Sequence, residues 1–474
     1  MNQMAKGTLY LMIANVTFLI SGYAIHFGLG RYLGPELYGT FGVILSLLTI
    51  NRILIQTGTY QAVSKFIAEN KDMANTIKNE ALKIQTIISL AIFVIYFSSA
   101  DLISNLLNDP DLAGYIRLSA FIIPINAISN TYSASLNGIR AFGKQTKSLI
   151  VYSVTKVFAV VALVLLGFAI SGAIVGYMIA SIAALIVAKH YCKFKKNKSY
   201  FEAKKIIMFA IPVILFSAAS TLLMNIDLLF VKAMVEESAE TGFYTSATNL
   251  ARVPYLIFGG LSLTLLPSIS KSVADKDDKQ TKSYISSSLR YLLLLIMPVT
   301  FIVSATSENL ISLVYTSEYL PAAHSLSILI FGFIFFSVFA VLTTIITGSG
   351  KPKVSMLIVL TLIPIDVVLN LTFIPIYQLE GAAIATTITA FIGLAISAMY
   401  VFKKFRALMK PISFCRLAAA SSIVYFISIS YSVTGISLII NYVFLFMIYL
   451  SLLWILREIK DDDVELVKNL IAKK

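Results

Sequence analysis

Residues 323–347, AHSLSILIFGFIFFSVFAVLTTIIT, contain no Asp, Glu, Lys or Arg. At about 1.5 Å of helical rise per residue, this stretch outreaches the roughly 30 Å hydrocarbon core of a bilayer, so it reads as a membrane-crossing helix. Two more such runs follow it, 353–374 and 381–402. Eleven others occur elsewhere, at 8–29, 37–59, 80–98, 114–138, 147–169, 171–189, 205–231, 242–267, 284–304, 413–432 and 436–456. The composition agrees. The 474 residues are 58% hydrophobic and 13% charged, with a mean hydropathy of +0.84, whereas a soluble domain carries about 25% charged residues. A soluble globular enzyme is excluded, and the expected fold class is an all-α polytopic membrane protein with 14 transmembrane helices. The first run is too long for the apolar part of a cleaved signal peptide and reads as a retained helix.

The net charge of +14 is distributed unevenly. If loops alternate sides, most Lys and Arg fall on the side of the N-terminus, including Lys65 to Lys83, Arg140 to Lys147, Lys189 to Lys205, Lys271 to Lys282 and Arg457 to Lys474. The opposite loops hold Arg31 and Lys232 among acids such as Asp101, Asp109, Glu236, Glu308 and Glu380. By the positive-inside rule both termini are cytoplasmic in a multi-pass protein of the cell membrane. The basic cluster Lys193, Lys195, Lys196 and Lys198 then needs no nucleic acid; it solvates a cytoplasmic linker beside anionic headgroups. Two distant cysteines, Cys192 and Cys415, suggest neither a disulfide framework nor a metal site, and three histidines show no ligand spacing.

The chain also repeats itself. Gly143-Lys144-Gln145-Thr146-Lys147 recurs as Gly350-Lys351-Pro352-Lys353, and Gly172-Ala173-Ile174 recurs at nearly the same offset as Gly381-Ala382-Ala383. Gly34-Pro35-Glu36-Leu37-Tyr38-Gly39 has a looser echo in Glu240-Thr241-Gly242-Phe243-Tyr244. Ordered matches of this kind predict two six-helix lobes of equal orientation, related by a pseudo-two-fold along the membrane normal, plus an extra C-terminal pair. The expected domains are an N-lobe 1–189, a basic linker 190–204, a C-lobe 205–402, the extra pair 403–456 and a cytoplasmic tail 457–474.

Ionisable and amide side chains inside apolar spans are costly and therefore informative. Arg52 lies in the second span, Asn126, Asn130, Ser133 and Asn137 form a helical stripe in the fourth, and Lys156 lies one turn from Tyr152 in the fifth. Arg252 occupies the eighth span, equivalent to the second, so an inward pair of arginines would attract an anion; the other reading pairs them with Asp227 or backbone carbonyls. Arginine suits phosphate because its planar fork offers several donors and stays charged. Asp227 with Asn225, and Asp366 with Asn370, are candidates for ion pairing or for binding a coupling Na+ or H+. No nucleophile, metal cluster or phosphate-binding loop accompanies them, so neither an enzyme nor a resident cofactor is expected. Arg117 and Arg290, near span ends, can snorkel to the interface. Pro124, Pro212, Pro254, Pro298 and Pro364 mark kinks.

Arg31-Tyr32-Leu33-Gly34-Pro35-Glu36-Leu37-Tyr38-Gly39, Gly242-Phe243-Tyr244-Thr245-Ser246-Ala247, Gly348-Ser349-Gly350-Lys351-Pro352-Lys353 and Asn370-Leu371-Thr372-Phe373-Ile374-Pro375 resemble the polysaccharide transporter family. This is the Wzx-like oligosaccharide flippase branch of the multidrug/oligosaccharidyl-lipid/polysaccharide exporter superfamily. The resemblance implies two lobes, alternating access through a cationic cavity, and translocation of a polyprenyl-diphosphate-linked oligosaccharide to the outer leaflet for cell-surface polysaccharide biosynthesis. It implies a monomer working in membrane lipid beside glycosyltransferase or polymerase partners. Lipid-linked precursor flippases of the superfamily use arginines on their first, second and eighth helices; Arg52 and Arg252 match the latter two, and the first offers His26. Arg416 would meet a headgroup. The competing reading is a multidrug and toxin extrusion-type, cation-coupled antiporter.

Overall fold

The computed structural model describes residues 3–195, 200–258, 261–431, 433–459 and 463. Lys196 and Lys198 of the basic linker, and most of the tail beyond 459, lie outside the described residues. Those described are nearly all helical, with no strand among them. Among the described residues, ten helical segments are long and apolar enough to cross a membrane. Three of the ten, Leu9–Glu69, Phe142–Tyr191 and Pro352–Phe405, run for 61, 50 and 54 residues, where one crossing needs only about 20. Each contains a sharp break. Gly34 takes φ 74° and ψ 173° just before Pro35, a positive φ open to glycine with the extended ψ that a following proline favours. Gly167 takes φ 91°, and Gln378 takes φ 50° and ψ −122°.

The chain divides into two compact units, Met1–Thr245 and Ser246–Lys474. In the first, α1 (Gln3–Glu69) packs on α5 (Ile122–Gly138), α6 (Phe142–Leu163) and α8 (Ala203–Leu223). Between α1 and α5 come α2 (Ala74–Ser98), α3 (Ala100–Leu106) and α4 (Leu112–Ala120), and α6 pairs with α7 (Ala169–Tyr191). The short α9 (Ile226–Met234) follows α8, and α10 (Ser238–Ala251) runs across the division.

In oil, helices gain little from burying apolar surface and associate through close packing, which favours small residues at contacts. The loosely repeated motifs supply such a contact. A Cβ at Gly39 would lie 2.6 Å from the backbone nitrogen of Gly242, a Cβ at Gly42 would meet the Thr245 side chain at 2.5 Å, and a Cβ at Gly242 would strike the Pro35 carbonyl oxygen. The two segments are thus partners in packing. Tyr38, Phe41 and Ile44, fully buried, line the same stretch of α1. Ile87, Phe158 and Leu166 are 70%, 73% and 72% exposed, an apolar surface of the kind that marks a membrane interface.

The second unit contains α11 (Val253–Phe258), α12 (Leu261–Ala274), α13 (Asp278–Ala305), α14 (Ser307–Val314), α15 (Ala322–Gly348), α16 (Pro352–Phe405), α17 (Pro411–Ser430) and α18 (Ser437–Ile455). Here α15 pairs extensively with α16, and α13 packs on α15 and α17. Pro212, Pro298 and Pro364 lie within continuous helices. Pro124 and Pro254 lie in the first turns of α5 and α11, where a missing N–H costs no hydrogen bond.

Arg290 departs from the sequence expectation. It does not snorkel. Its Nε donates to Glu458 Oε1 at 2.8 Å, and its Nη1 and Nη2 donate to the Asp463 carboxylate at 2.9 and 2.7 Å. Ser413 also donates to Glu458, and Arg416 Nη1 reaches Glu458 at 3.5 Å. Partners so remote in sequence could not be read from the span alone. Arg117, exposed, pairs with Asp101 at 2.5 Å. Both cysteines are free thiols. Burial pushes the Cys192 thiol up to about 12, against the opposing pull of Lys78 and Lys144.

Candidate functional site

Within the first unit, α1, α5, α6 and α7 enclose a cavity of about 70 Å³ whose polar wall is Arg52, Asn126, Tyr152, Tyr177 and Thr49. A water occupies roughly 30 Å³ of liquid, so the space suits one small oxyanion group or two waters. Arg52 lies in the second half of α1 and is exposed, while Asn126 is half-buried on α5.

Lys156 adds a second cation beside this cavity. It is 2% exposed, and its ammonium lies 5.6 and 5.5 Å from the ring centroids of Tyr152 and Tyr177, the two tyrosines of the cavity wall, and 4.9 Å from that of Phe18. Three aromatic faces each attract a cation by about 0.5–2 kcal/mol, which offsets part of the several kcal/mol that burying an ion costs. The spacing of Tyr152 and Lys156, four residues apart on α6, puts both on one helix face. The result is a small space walled by Arg52, Asn126 and two tyrosines, with an ammonium behind the tyrosine rings. Such a wall can bind an anion by charge-assisted hydrogen bonds.

The asparagine stripe of α5 is spread over several environments. Asn126 lines the cavity. Asn130 Nδ2 donates to the Gln56 carbonyl at 3.0 Å, and Ser133 is buried. Asn137 accepts from Ser64 at 2.6 Å and donates to Gln145 at 3.0 Å, which in turn donates to Tyr60 at 2.6 Å. From Asn126 to Asn137 the helix climbs about 16 Å, so one face does not make one site. His26 Nδ1 lies 3.1 Å from the Tyr38 hydroxyl.

The buried carboxylates sit in separate units. In the first, Asp227 is 2% exposed and accepts from the Tyr244 hydroxyl at 2.7 Å and from the Leu228 backbone N–H, in the first turn of α9, at 2.9 Å. Neighbouring Asn225 donates to the Thr221 carbonyl at 2.7 Å. In the second, Asp366 is 1% exposed and accepts from Thr389 at 2.9 Å, while Asn370 donates to the Asp366 carbonyl, also at 2.9 Å. Arg252 falls at the break between α10 and α11, and its guanidinium stacks over Phe333 at 5.5 Å.

Tyr177, Phe18 and Tyr244 were absent from the sequence reading of the site. An aromatic residue in an apolar span offers no contrast with its neighbours, so only the fold reveals that two of them cage Lys156 and that the third donates to Asp227.

The chain is a helical, multi-pass membrane protein with cationic and amide groups held inside its bundle. The model of the polysaccharide biosynthesis protein family matches residues 29–324, and the chain belongs to that family. It is 25% identical over 408 residues to the capsular polysaccharide biosynthesis protein CapF of Staphylococcus aureus, covering 85% of this chain and 100% of the relative. It is 23% identical over 406 residues to a Haloferax volcanii protein named "Probable low-salt glycan biosynthesis flippase Agl15", covering 84% and 83%. Among solved structures, the lipid II flippase MurJ in an inward closed conformation superposes with a TM-score of 0.76 at 17% identity, over 94% of this chain and 98% of that one. An inward-facing multidrug resistance MATE family transporter of the MOP superfamily gives 0.70 at 14% identity, over 83% and 98%. The fold is therefore the one shared by MurJ and the MATE transporters.

Proposed function

We propose that this protein is a flippase that moves a polyprenyl-diphosphate-linked oligosaccharide from the cytoplasmic to the outer leaflet for cell-surface polysaccharide biosynthesis, by alternating access. The observation that carries this reading is the cationic cavity of Arg52 backed by Lys156, in a chain of the polysaccharide biosynthesis family. A sugar diphosphate cannot enter hydrocarbon without losing hydrogen bonds worth several kcal/mol each. Arg52 binds a phosphate oxygen through its planar fork, Asn126 and the two tyrosine hydroxyls take up further oxygens, and Lys156 supplies unscreened positive charge behind the rings. Arg252 is assigned the matching role in the second unit, and the lipid tail stays in the bilayer throughout.

In this reading there are fourteen crossings. Each of the three composite helices crosses twice, with its turn at Gly34, Gly167 or Gln378, and the broken elements α8–α9 and α10–α12 cross once each. Six crossings, a basic linker, six more and a final pair follow the repeat, with both termini in the cytoplasm of a cell-membrane protein. The partners are the lipid-linked oligosaccharide and the transferases or polymerase that make and consume it.

The test is replacement of Arg52 and of Arg252 by alanine. Each variant inserts and elutes like the wild type, and each loses oligosaccharide export; undiminished export in either one removes that arginine from the mechanism.

A second reading has its own support in the likeness to a MATE transporter and in the buried carboxylates Asp227 and Asp366. A cation-coupled antiporter would confer resistance to cationic dyes that is lost in Asp227→Asn or Asp366→Asn.

A further inference from the structure

We propose that the N-terminal end of α6 holds the phosphate headgroup of an anionic phospholipid from the cytoplasmic leaflet. The proposal rests on the membrane orientation read from charge placement and not on the identity of the transported substrate. The site is a cavity of about 710 Å³ between the start of α1 (Gly7, Tyr10, Ile13) and the α5–α6 turn with the first turns of α6 (Arg140 to Lys147, Ile150).

Three features give it the character of a lipid site. Its lining has two zones. Tyr10 and Ile13 are 46% and 45% exposed and present apolar surface, whereas Arg140, Lys144 and Lys147 are exposed cations. None of the ion pairs among the described residues involves those three side chains. The Lys144 and Lys147 ammonium groups also converge on one ring, lying 5.9 and 5.6 Å from the centroid of Tyr191. Two like charges held around one ring repel each other, and an anion beside them lowers that repulsion.

The third feature is Thr146. It lines the cavity and is 5% exposed, yet its buried hydroxyl has no hydrogen-bond partner. A buried polar group left unsatisfied costs about 1–3 kcal/mol, and rotation of the Thr146 side chain toward the cavity would give it an acceptor there. The helix starts without a side-chain cap, and although the Lys144 and Gln145 N–H groups both bond to the Ala141 carbonyl, its dipole favours an anion at this end. A phosphate beside an apolar strip is the chemistry of a phospholipid at the interface: headgroup on the cations, acyl chain along Tyr10 and Ile13.

The experiment measures lipid retention by native mass spectrometry, with the full chain extracted from bilayers of equal phosphatidylglycerol and phosphatidylcholine. Wild-type protein retains phosphatidylglycerol preferentially. The pair Lys144→Gln and Lys147→Gln lowers that retention about 30-fold, at about 1 kcal/mol per interfacial cation, whereas Lys144→Arg with Lys147→Arg preserves it. Thr146→Val, which keeps the shape and the charges, lowers it several-fold and serves as the test should the glutamine pair fail to fold. Equal retention of both lipids would overturn the proposal, as would an equal loss on replacing Lys279 and Lys282 by glutamine. Inorganic phosphate binding the detergent-purified protein as tightly as phosphatidylglycerol would assign the site to a free anion and overturn the lipid. Flipping of the oligosaccharide lipid, measured in parallel, fails independently if the transport reading is wrong.

Discussion

Replacing Lys156 by methionine separates what the buried cation does for the fold from what it does for transport. Methionine is unbranched and of similar length, so it fills the cage of Phe18, Tyr152 and Tyr177 without the charge. Three cation–π contacts at 4.9 to 5.6 Å are lost, together about 1.5–6 kcal/mol, and so is the burial penalty of an ion that is 2% exposed, again several kcal/mol. These terms nearly cancel, so the melting temperature stays within a few degrees. Transport behaves differently. An anion held against the cavity face of either tyrosine would lie roughly 10 Å from the ammonium, and at an effective dielectric constant of about 20 that attraction is about 1.7 kcal/mol. Flipping at low substrate concentration should therefore fall about 15-fold. The assay is reconstitution in liposomes with a fluorescent polyprenyl-diphosphate sugar, alongside thermal unfolding in detergent. Lys156→Arg, which keeps the charge, retains most activity. A methionine variant that unfolds many degrees early yet flips normally would show that the cage is only a structural support, and the reasoning would fail.

Gly242→Val should abolish accumulation of folded protein, because its Cβ meets the Pro35 carbonyl rather than a yielding side chain; overpacking of this kind costs about 1–3 kcal/mol or more, and membrane-inserted yield is the readout. Tyr244→Phe removes the hydroxyl that donates to the Asp227 carboxylate and should cost about 1.5–3 kcal/mol, measured as a lowered melting temperature. At Glu458, burial alone would favour the neutral acid, but hydrogen bonds from Arg290 and Ser413 and the Arg290 charge hold its carboxyl below the usual carboxylate range. A depressed folded value means that the stabilisation is present above the unfolded pKa of about 4.3 and is lost as pH falls through the lower folded value. Protease cleavage after 458 should accordingly quicken in acid, and Arg290→Met should quicken it at neutral pH.

Much of the transmembrane plan could be read from composition, because twenty uncharged residues in a row have few other destinations. The sequence reading separates the runs 147–169 and 171–189 at Ile170, and the helical segment breaks close by, at Gly167 to Ala169. Arg52, Asn126 and Lys156 stood out because a polar group in an apolar span is conspicuous. What converges on them did not. Tyr177 and Phe18 look like ordinary filling, and the clasp of Arg290 joins residues separated by more than a third of the chain. Asn130 and Asn137 meet Gln56 and Ser64 of α1, and rise along the axis carries them away from the cavity and into these hydrogen bonds of their own.

The claim on which the account rests is that this chain moves a sugar diphosphate across a bilayer. The direct measurement is reconstitution of purified protein in liposomes carrying a labelled polyprenyl-diphosphate oligosaccharide, with a membrane-impermeant lectin following its appearance at the outer surface. Accelerated exposure over protein-free vesicles, lost with Arg52→Ala, is the predicted result. Exposure at the rate of protein-free vesicles, from protein that is correctly folded and inserted, would contradict it.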